Sequence, residues 1–546
     1  MRFALITVVV TTLLLAASPR ASAADFGLID QHGQFHHLYR YRNVETVAVL
    51  TFSYQDAESL AAARQFANAC DQAEPSQLAC LLLNASDSAD EIRNQAESPG
   101  NLPVLIDGSQ TVAGTLGFTR LGELVTLDPA SVDFKDAAIT GFEAPGQGTA
   151  IDFHFLAALD ERGISYQDDI APLLQRRCAY CHIENGLAPW AMNRHIMVMG
   201  WSPMMREVLI TRRMPPGQID NAVGNWQQTH ELSDAEMAML IAWIDRGAPN
   251  DGSEDPLLVP PAPMEDWPLG QPDLIVDVPE QQIPATGNVD FLVEKVALDL
   301  TEDRWLRAIS YKVGDRSVLH SLLVYAVEES VTEADPDALI SGDNAQYISV
   351  YVPGEHSDQF GDDTGFLLSA DRDLAFKLRY LTSGRETVDR SQIGLYFHDE
   401  APARQLRTIM LEKPELNIPA NAANHIETLR SEPLTQDARL ESYSPHAHSR
   451  GKSMNLTATY PDGRQESLIN VANFNYNWQL DYRAASEKLL PAGTVLTAET
   501  VYDNSSSNPF NADPDQTLDA SYSDQSEMFV HFVRISESLR GAARTP

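Results

Sequence analysis

Cys178 and Cys181 flank Ala179-Tyr180 and are followed at once by His182. The spacing suits covalent haem c attachment: two thiols one turn apart add to the two vinyl groups of one porphyrin, and the adjacent imidazole reaches the iron as proximal ligand. A C-x-x-C pair can also be a zinc clip or a redox dithiol, but zinc wants a second ligand pair at short spacing, and none follows. Haem c on Cys178, Cys181 and His182 is the expected cofactor. The distal ligand should be a thioether or a second imidazole. Met214, in Arg212-Arg213-Met214-Pro215-Pro216-Gly217, is the expected one, its loop held extended by the prolines. Met192, Met197, Met199, Met204 and Met205 compete, although methionines at such density more often fill a core.

A second constellation lies far downstream, in Pro445-His446-Ala447-His448-Ser449-Arg450-Gly451-Lys452. On a strand, residues i and i+2 share a face, so His446 and His448 can offer two imidazoles to one metal. Met528, after Glu527, supplies a thioether. Two imidazoles and a thioether suit Cu(I)/Cu(II) better than Mg or Ca, so His446, His448 and Met528 are the expected catalytic, copper-binding set. Alternating His on a strand is also commonly plain surface or core polarity. Cys70 and Cys80 are left to one another, and in an oxidising compartment a structural disulfide is expected over a free redox pair.

These groups need a frame, and the chain length suggests three or four domains. Met1 to Ala23 has a basic start, an apolar run and a small-residue exit, the pattern of a signal peptide. No later run approaches the length of a membrane span, so an exported, periplasmic protein is expected. The formal charge of -38 argues against nucleic acid as a partner and fits solubility or a basic redox partner. Residues 25–149 alternate apolar strands, as at Thr46 to Ser53 and Val104 to Ile106, with a helix over Ala57 to Ala69, and predict an α/β domain. Over 150–250, Ile170, Leu173 and Leu174 recur at helical spacing, and a capping box at Ser233 to Glu236 opens a stripe of Met237, Leu240, Ile241 and Ile244. An all-α cytochrome c domain is expected there. A Pro-rich linker over 251–272 leads into short, turn-punctuated strands, which predict two all-β, jelly-roll-like sandwiches over 273–405 and 406–540.

Three resemblances add to this reading. The 25–149 segment, including Leu102-Pro103-Val104-Leu105-Ile106-Asp107-Gly108, resembles the thioredoxin-like family, but has Tyr54-Gln55-Asp56-Ala57 where that family carries its C-x-x-C and Leu121-Gly122 where it carries a cis-proline. A docking or scaffold role is therefore expected of it. The neighbourhood of Met214 resembles the Met-Pro-Pro loop of class I-like cytochromes c. Val318-Leu319-His320, His446 to Lys452, Asn475-Tyr476-Asn477-Trp478, Leu490 to Thr494, Asp503-Asn504-Ser505 and Glu527-Met528 resemble the copper type II, ascorbate-dependent monooxygenase family, which includes peptidylglycine hydroxylating monooxygenase and dopamine β-hydroxylase.

That resemblance implies a pair of jelly-roll-like sandwiches with one copper on each. The O2-activating copper falls on His446, His448 and Met528. The electron-supplying copper would need an adjacent His pair and a third His, where this chain has His320-Ser321 and Arg379. A guanidinium stays protonated and repels a cation, so His320 is a remnant unless His356 or His398 rescues the site, and one copper is expected rather than two. Two functions follow. Either O2 is activated at the remaining copper with electrons from the haem, to hydroxylate an organic substrate, or the chain keeps its metals for electron transfer or as a subunit of a periplasmic complex. A scaffold with vestigial metals is the third reading. A redox protein or a small reductant would supply the electrons.

Overall fold

In the computed structural model, the apolar run Thr46–Thr51 is buried at every position and is the middle strand of a five-stranded sheet. The structure describes residues 24–95, 98–145, 148–227, 231–259, 265–289, 291–330, 340, 345–520 and 526–539; the expected signal peptide and Pro260, Pro261 and Pro263 of the expected linker lie outside them. Thr46–Thr51 pairs parallel with Leu78–Asn84, which pairs parallel with Val104–Ile106; Leu124–Asp128 closes the other side antiparallel. A strand covered on both faces needs apolar residues at successive positions, and this one has them. Ala48, Leu50 and Phe52 face helix α1 (Ala57–Cys70) and its Ala63 and Phe66. Asp56 caps α1 by accepting from the Ser59 amide at 2.8 Å. Cys70, at the end of α1, is disulfide-bonded to Cys80.

The opposite face corrects the expected architecture. Val47, Val49, Leu81, Leu83 and Leu105 share one core with Leu173, Val198, Leu209, Leu240 and Ile244. After α2 (Ala89–Arg93) and α3 (Thr111–Thr115), the helices α4 (His154–Arg162), α5 (Ala171–Arg177), α6 (His195–Ile210) and α7 (Asp234–Asp245) therefore do not form an all-α cytochrome c domain over 150–250; they coat the sheet. Strand accounts for 34% of the chain and helix for 17%. The physical reason is visible in α7: it has its expected capping box, but Met237, Ala238 and every residue from Leu240 to Ile244 are buried. A helix apolar on most of its surface must be covered from several sides, which short helical neighbours alone do not supply.

The all-β half also departs from two independent sandwiches. One nine-stranded sheet crosses the expected boundary at 405, through the parallel pairing of Thr364–Leu368 with Arg404–Glu412. Four-stranded sheets flank it, one built on Leu319–Glu328 and Arg372–Tyr380 and the other on Gly451–Thr459 and Val495–Tyr502. Tyr325 and Tyr347 of the first flanking sheet pack with Phe532 of the long sheet, Tyr347 stacking on it at 4.2 Å. Beneath this junction the buried Asp358 lies 3.1 Å from the buried Arg534 and 3.2 Å from the half-buried Arg483. Burial alone would raise the Asp358 pKa, but the two guanidiniums outweigh burial and hold it below the usual carboxylate range.

Leu240→Ala is expected to destabilise the sheet and the helices together, by about 2–5 kcal/mol, in one thermal transition for residues 24–257. A separate melting step for α4–α7, seen by hydrogen exchange, would restore an independent helical domain. Asp358→Asn takes the nearest carboxylate from the buried Arg534 and leaves it only Asp481 at 3.7 Å, and should cost about 3 kcal/mol. Because the folded pKa is depressed, the stability Asp358 contributes is present above the unfolded carboxylate pKa and lost as pH falls through the folded one. The wild type should therefore lose its advantage over Asp358→Asn on acidification, and a constant difference in denaturation midpoint would count against the pair.

Candidate functional site

Pairing in the long sheet brings the copper-type residues together. Ala438–His446 lies antiparallel to Val530–Ser538 with His446 opposite Val530, so Met528 arrives beside the His446 end of its neighbour. The strand ends at His446, and His448 lies just beyond it and is not among the residues lining the cavity that His446 shares with Met528. His446 and Met528 line one cavity of about 20 Å³ with Lys377, Gln479 and Phe532. The Nε2 of His446 is buried without a hydrogen-bond partner, and its ring meets Phe532 edge-on at 5.2 Å. Burial, then Lys377 and His448, pushes the His446 pKa down to about 3, so the ring is neutral and keeps a lone pair. The Nδ1 of His448 lies 3.1 Å from the Ser526 carbonyl; a carbonyl only accepts, so that nitrogen carries the proton and Nε2 is the lone-pair nitrogen.

Glu527 was read in the sequence only as the neighbour of Met528, yet it holds the loop. Its carboxylate accepts from the amides of His448 (2.8 Å) and Arg450 (2.7 Å), and it is fully buried. Spacing in the sequence gave no sign of this, because the two segments meet only through the sheet. His531, four residues on, is a satisfied core histidine: Tyr443 and Thr500 bond its two nitrogens at 2.6 and 2.8 Å. Among the described residues no group of three or more His, Cys, Asp and Glu is arranged to hold a metal ion. Copper here would rest on two imidazoles and a thioether, a set whose orphaned Nε2 fits a soft cation and whose neighbour Lys377 opposes one.

His320 and Arg379 are also neighbours, since Ser321 pairs with Arg379 across the flanking sheet. The guanidinium of Arg379 lies 4.9 Å from the Tyr476 ring centroid, and Trp478 lies 6.1 Å from His320. Burial first, then Arg379, lowers the His320 pKa to about 3. His356 is elsewhere, facing Tyr351 at 6.2 Å, and the Nε2 of His398 lies 2.8 Å from the Thr364 carbonyl.

The Cys178 to His182 turn follows α5, with the amides of Cys181 and His182 both donating to the Cys178 carbonyl. Both thiols are free, and burial pushes each up to about 12. The Nδ1 of His182 lies 3.0 Å from the Trp190 carbonyl, which leaves Nε2 with the lone pair an axial ligand needs. Trp190 stacks on Trp201 of α6 at 5.6 Å and lies 5.0 Å from His182. Met197 and Met204 share the Trp201 face at helical spacing and are exposed, as is Ile196 at 58%. The cavity that Cys181 lines is only about 10 Å³, so among the described residues a porphyrin has no preformed pocket at the thiols and would need the turn to open toward this exposed apolar face. Met214 lies past the other end of α6, whose Ile210 a rise of about 1.5 Å per residue sets about 13 Å along the axis from Trp201. The loop it opens docks on the C-terminal strands, Tyr482 donating to the Gly217 carbonyl at 3.0 Å.

No protein-family model matches this chain, and no curated protein matches it. Among solved structures, peroxidoxin BcpB from Mycobacterium tuberculosis is 19% identical with a TM-score of 0.19, over 26% of this chain and 92% of that one. A putative electron transfer protein from Aquifex aeolicus VF5 is 13% identical with a TM-score of 0.18, over 26% and 92%. The major capsid protein P2 from bacteriophage PM2 is 10% identical with a TM-score of 0.20, over 48% and 98%. Likenesses this slight carry no argument about activity. Among the described residues no helix is long and apolar enough to cross a membrane.

Arg379→Met removes the cation beside His320, so the His320 pKa should move up from about 3, read by NMR titration. An unmoved titration would separate the two side chains electrostatically.

Proposed function

We propose that the chain is an exported, periplasmic redox protein. Haem c joins it through Cys178 and Cys181 with His182 as axial ligand, and one copper is held by His446, His448 and Met528. Haem would supply electrons, and copper one-electron redox and dioxygen chemistry, as in the copper type II monooxygenases that the sequence resembles. The observation that carries the reading is the buried, unpartnered Nε2 of His446 in one cavity with Met528. The protein's own part is positional: Ser526 fixes the His448 tautomer, and Glu527 fixes the backbone that presents it.

Two further observations support a relay between the centres. The Sγ of Cys181 donates to the Pro353 carbonyl at 3.5 Å, and Tyr351 lines the same small cavity as Cys181. Tyr351 lies 5.7 Å from Tyr311, and a second aromatic series runs from Tyr347 to Phe532 at 4.2 Å and to His446 at 5.2 Å. A second reading, electron transfer without hydroxylation, is favoured by the cavity at His446, since about 20 Å³ holds about one water and no organic substrate.

Matured protein should contain one copper per chain by metal analysis and EPR, and His446→Ala should weaken copper at least about tenfold, or about 1.4 kcal/mol. Two coppers per chain would overturn the reading of His320 as a remnant. Unchanged copper affinity in His446→Ala would remove the site. O2 consumption without an oxidised organic product would select the second reading.

A further inference from the structure

A cavity of about 330 Å³ opens where the segment around Phe35 to Arg42 meets the loop that follows His448. Its wall is basic in a protein of formal charge -38: Arg40, Arg42, Arg213 and Lys452 all line it. Arg213 is paired with Glu207, whereas Arg40, Arg42 and Lys452 form no ion pair among the described residues. Two further carboxylates share the wall: Asp503 attracts Lys452, and Asp25 attracts Arg213 and Arg42 and lies 3.6 Å from the Nδ1 of His37. Asp503 accepts from Ser505 at 2.6 Å, and Asp25 accepts from the Phe26 amide at 3.0 Å.

Two donors in this wall are unsatisfied. His37 is 5% exposed, and its Nδ1 accepts from the Tyr39 amide at 3.3 Å; in the neutral ring the proton is then on Nε2, which is buried without a partner. The Nε of Arg40 is likewise buried and unpartnered. Aromatic surface frames the donors: the Arg40 guanidinium lies 5.2 Å from the Phe35 ring centroid, Phe474 and Tyr476 line the far side, and Phe510 stands at the rim, 53% exposed.

We propose that this cavity binds a small aromatic carboxylate, its anionic oxygens taken by Lys452, Arg40 and Arg42 and its ring held among Phe35, Tyr476 and Phe510. The volume is that of a small-ligand site, and its wall is rich in polar side chains. Burial, then Arg40, pushes the Lys452 pKa down to about 8, and an anion relieves both effects. Ser449 and Gly451 belong to the wall, so the ligand would lie next to the loop that carries His448. The assignment stands on the cavity alone and needs neither haem nor copper.

Calorimetric titration of the full, metal-free chain tests it, with benzoate as probe and benzyl alcohol and acetate as its uncharged and ringless counterparts. Benzoate should bind once per chain, at least about tenfold tighter than either, a margin of about 1.4 kcal/mol. Lys452→Met and Arg40→Met should each weaken benzoate by a similar factor. Arg42→Met and Phe510→Ala change exposed side chains and keep the test open if the buried variants fail to fold: both should weaken benzoate, and Phe510→Ala should leave acetate unaffected. No benzoate binding, equal binding of benzyl alcohol, or benzoate affinity untouched by Arg42→Met and Phe510→Ala would each overturn the proposal. Because the titration is done without metals, its failure leaves the copper and haem reading untouched.

Discussion

The pairing of Val530–Ser538 between Arg404–Glu412 and Ala438–His446 is the interaction on which the all-β half depends. It makes one sheet of what would otherwise be two sandwiches, and its register sets His446 opposite Val530. A shift by one residue would turn Phe532 and Val530 away from the core and take the Met528 end of the strand from its place. The buried Asp358 and Arg534, with the half-buried Arg483, lie at the same junction, where they disfavour other registers because a slip strands a charge in the interior.

In the other half, the governing constraint is the second face of the sheet. Period-two alternation along Thr46–Thr51 sends Ala48 and Leu50 to α1 and Val47 and Val49 to the later helices. Those helices are consequently fixed in place, and with them the Cys178 to His182 turn. Its outward side meets the β half at Pro353 and Gly354; a Cβ at Gly354, whose φ is +100°, would lie 2.4 Å from the Tyr180 ring. The thiol pair is thus wedged between two cores, a position that a free-standing helical domain would not give it.

Much was legible from local chemistry. The strand at Thr46, helix α1, the capping box of α7 and the partnership of Cys70 with Cys80 follow from periodicity, capping and cysteine count, which act over a few residues or by elimination. The all-α reading of 150–250 failed because helical periodicity reports which face is apolar and not what covers it. Reading His446 and His448 as sharing a pleat failed for a related reason: alternation holds only while the strand lasts, and this one stops at His446.

The sequence by itself determined the inventory: two thiols with an adjacent imidazole, two histidines around one alanine, a lone thioether, and an arginine where a metal ligand would be needed. Tertiary structure alone decided which of these meet. It gave His446 an unpartnered nitrogen and set it in one cavity with Met528, made Glu527 the anchor of the His448 loop, and gathered Arg40, His37 and Lys452 around another cavity. The reason is separation along the chain: contacts between segments hundreds of residues apart depend on sheet register and on burial from a second layer, and neither is written in the spacing of the residues themselves.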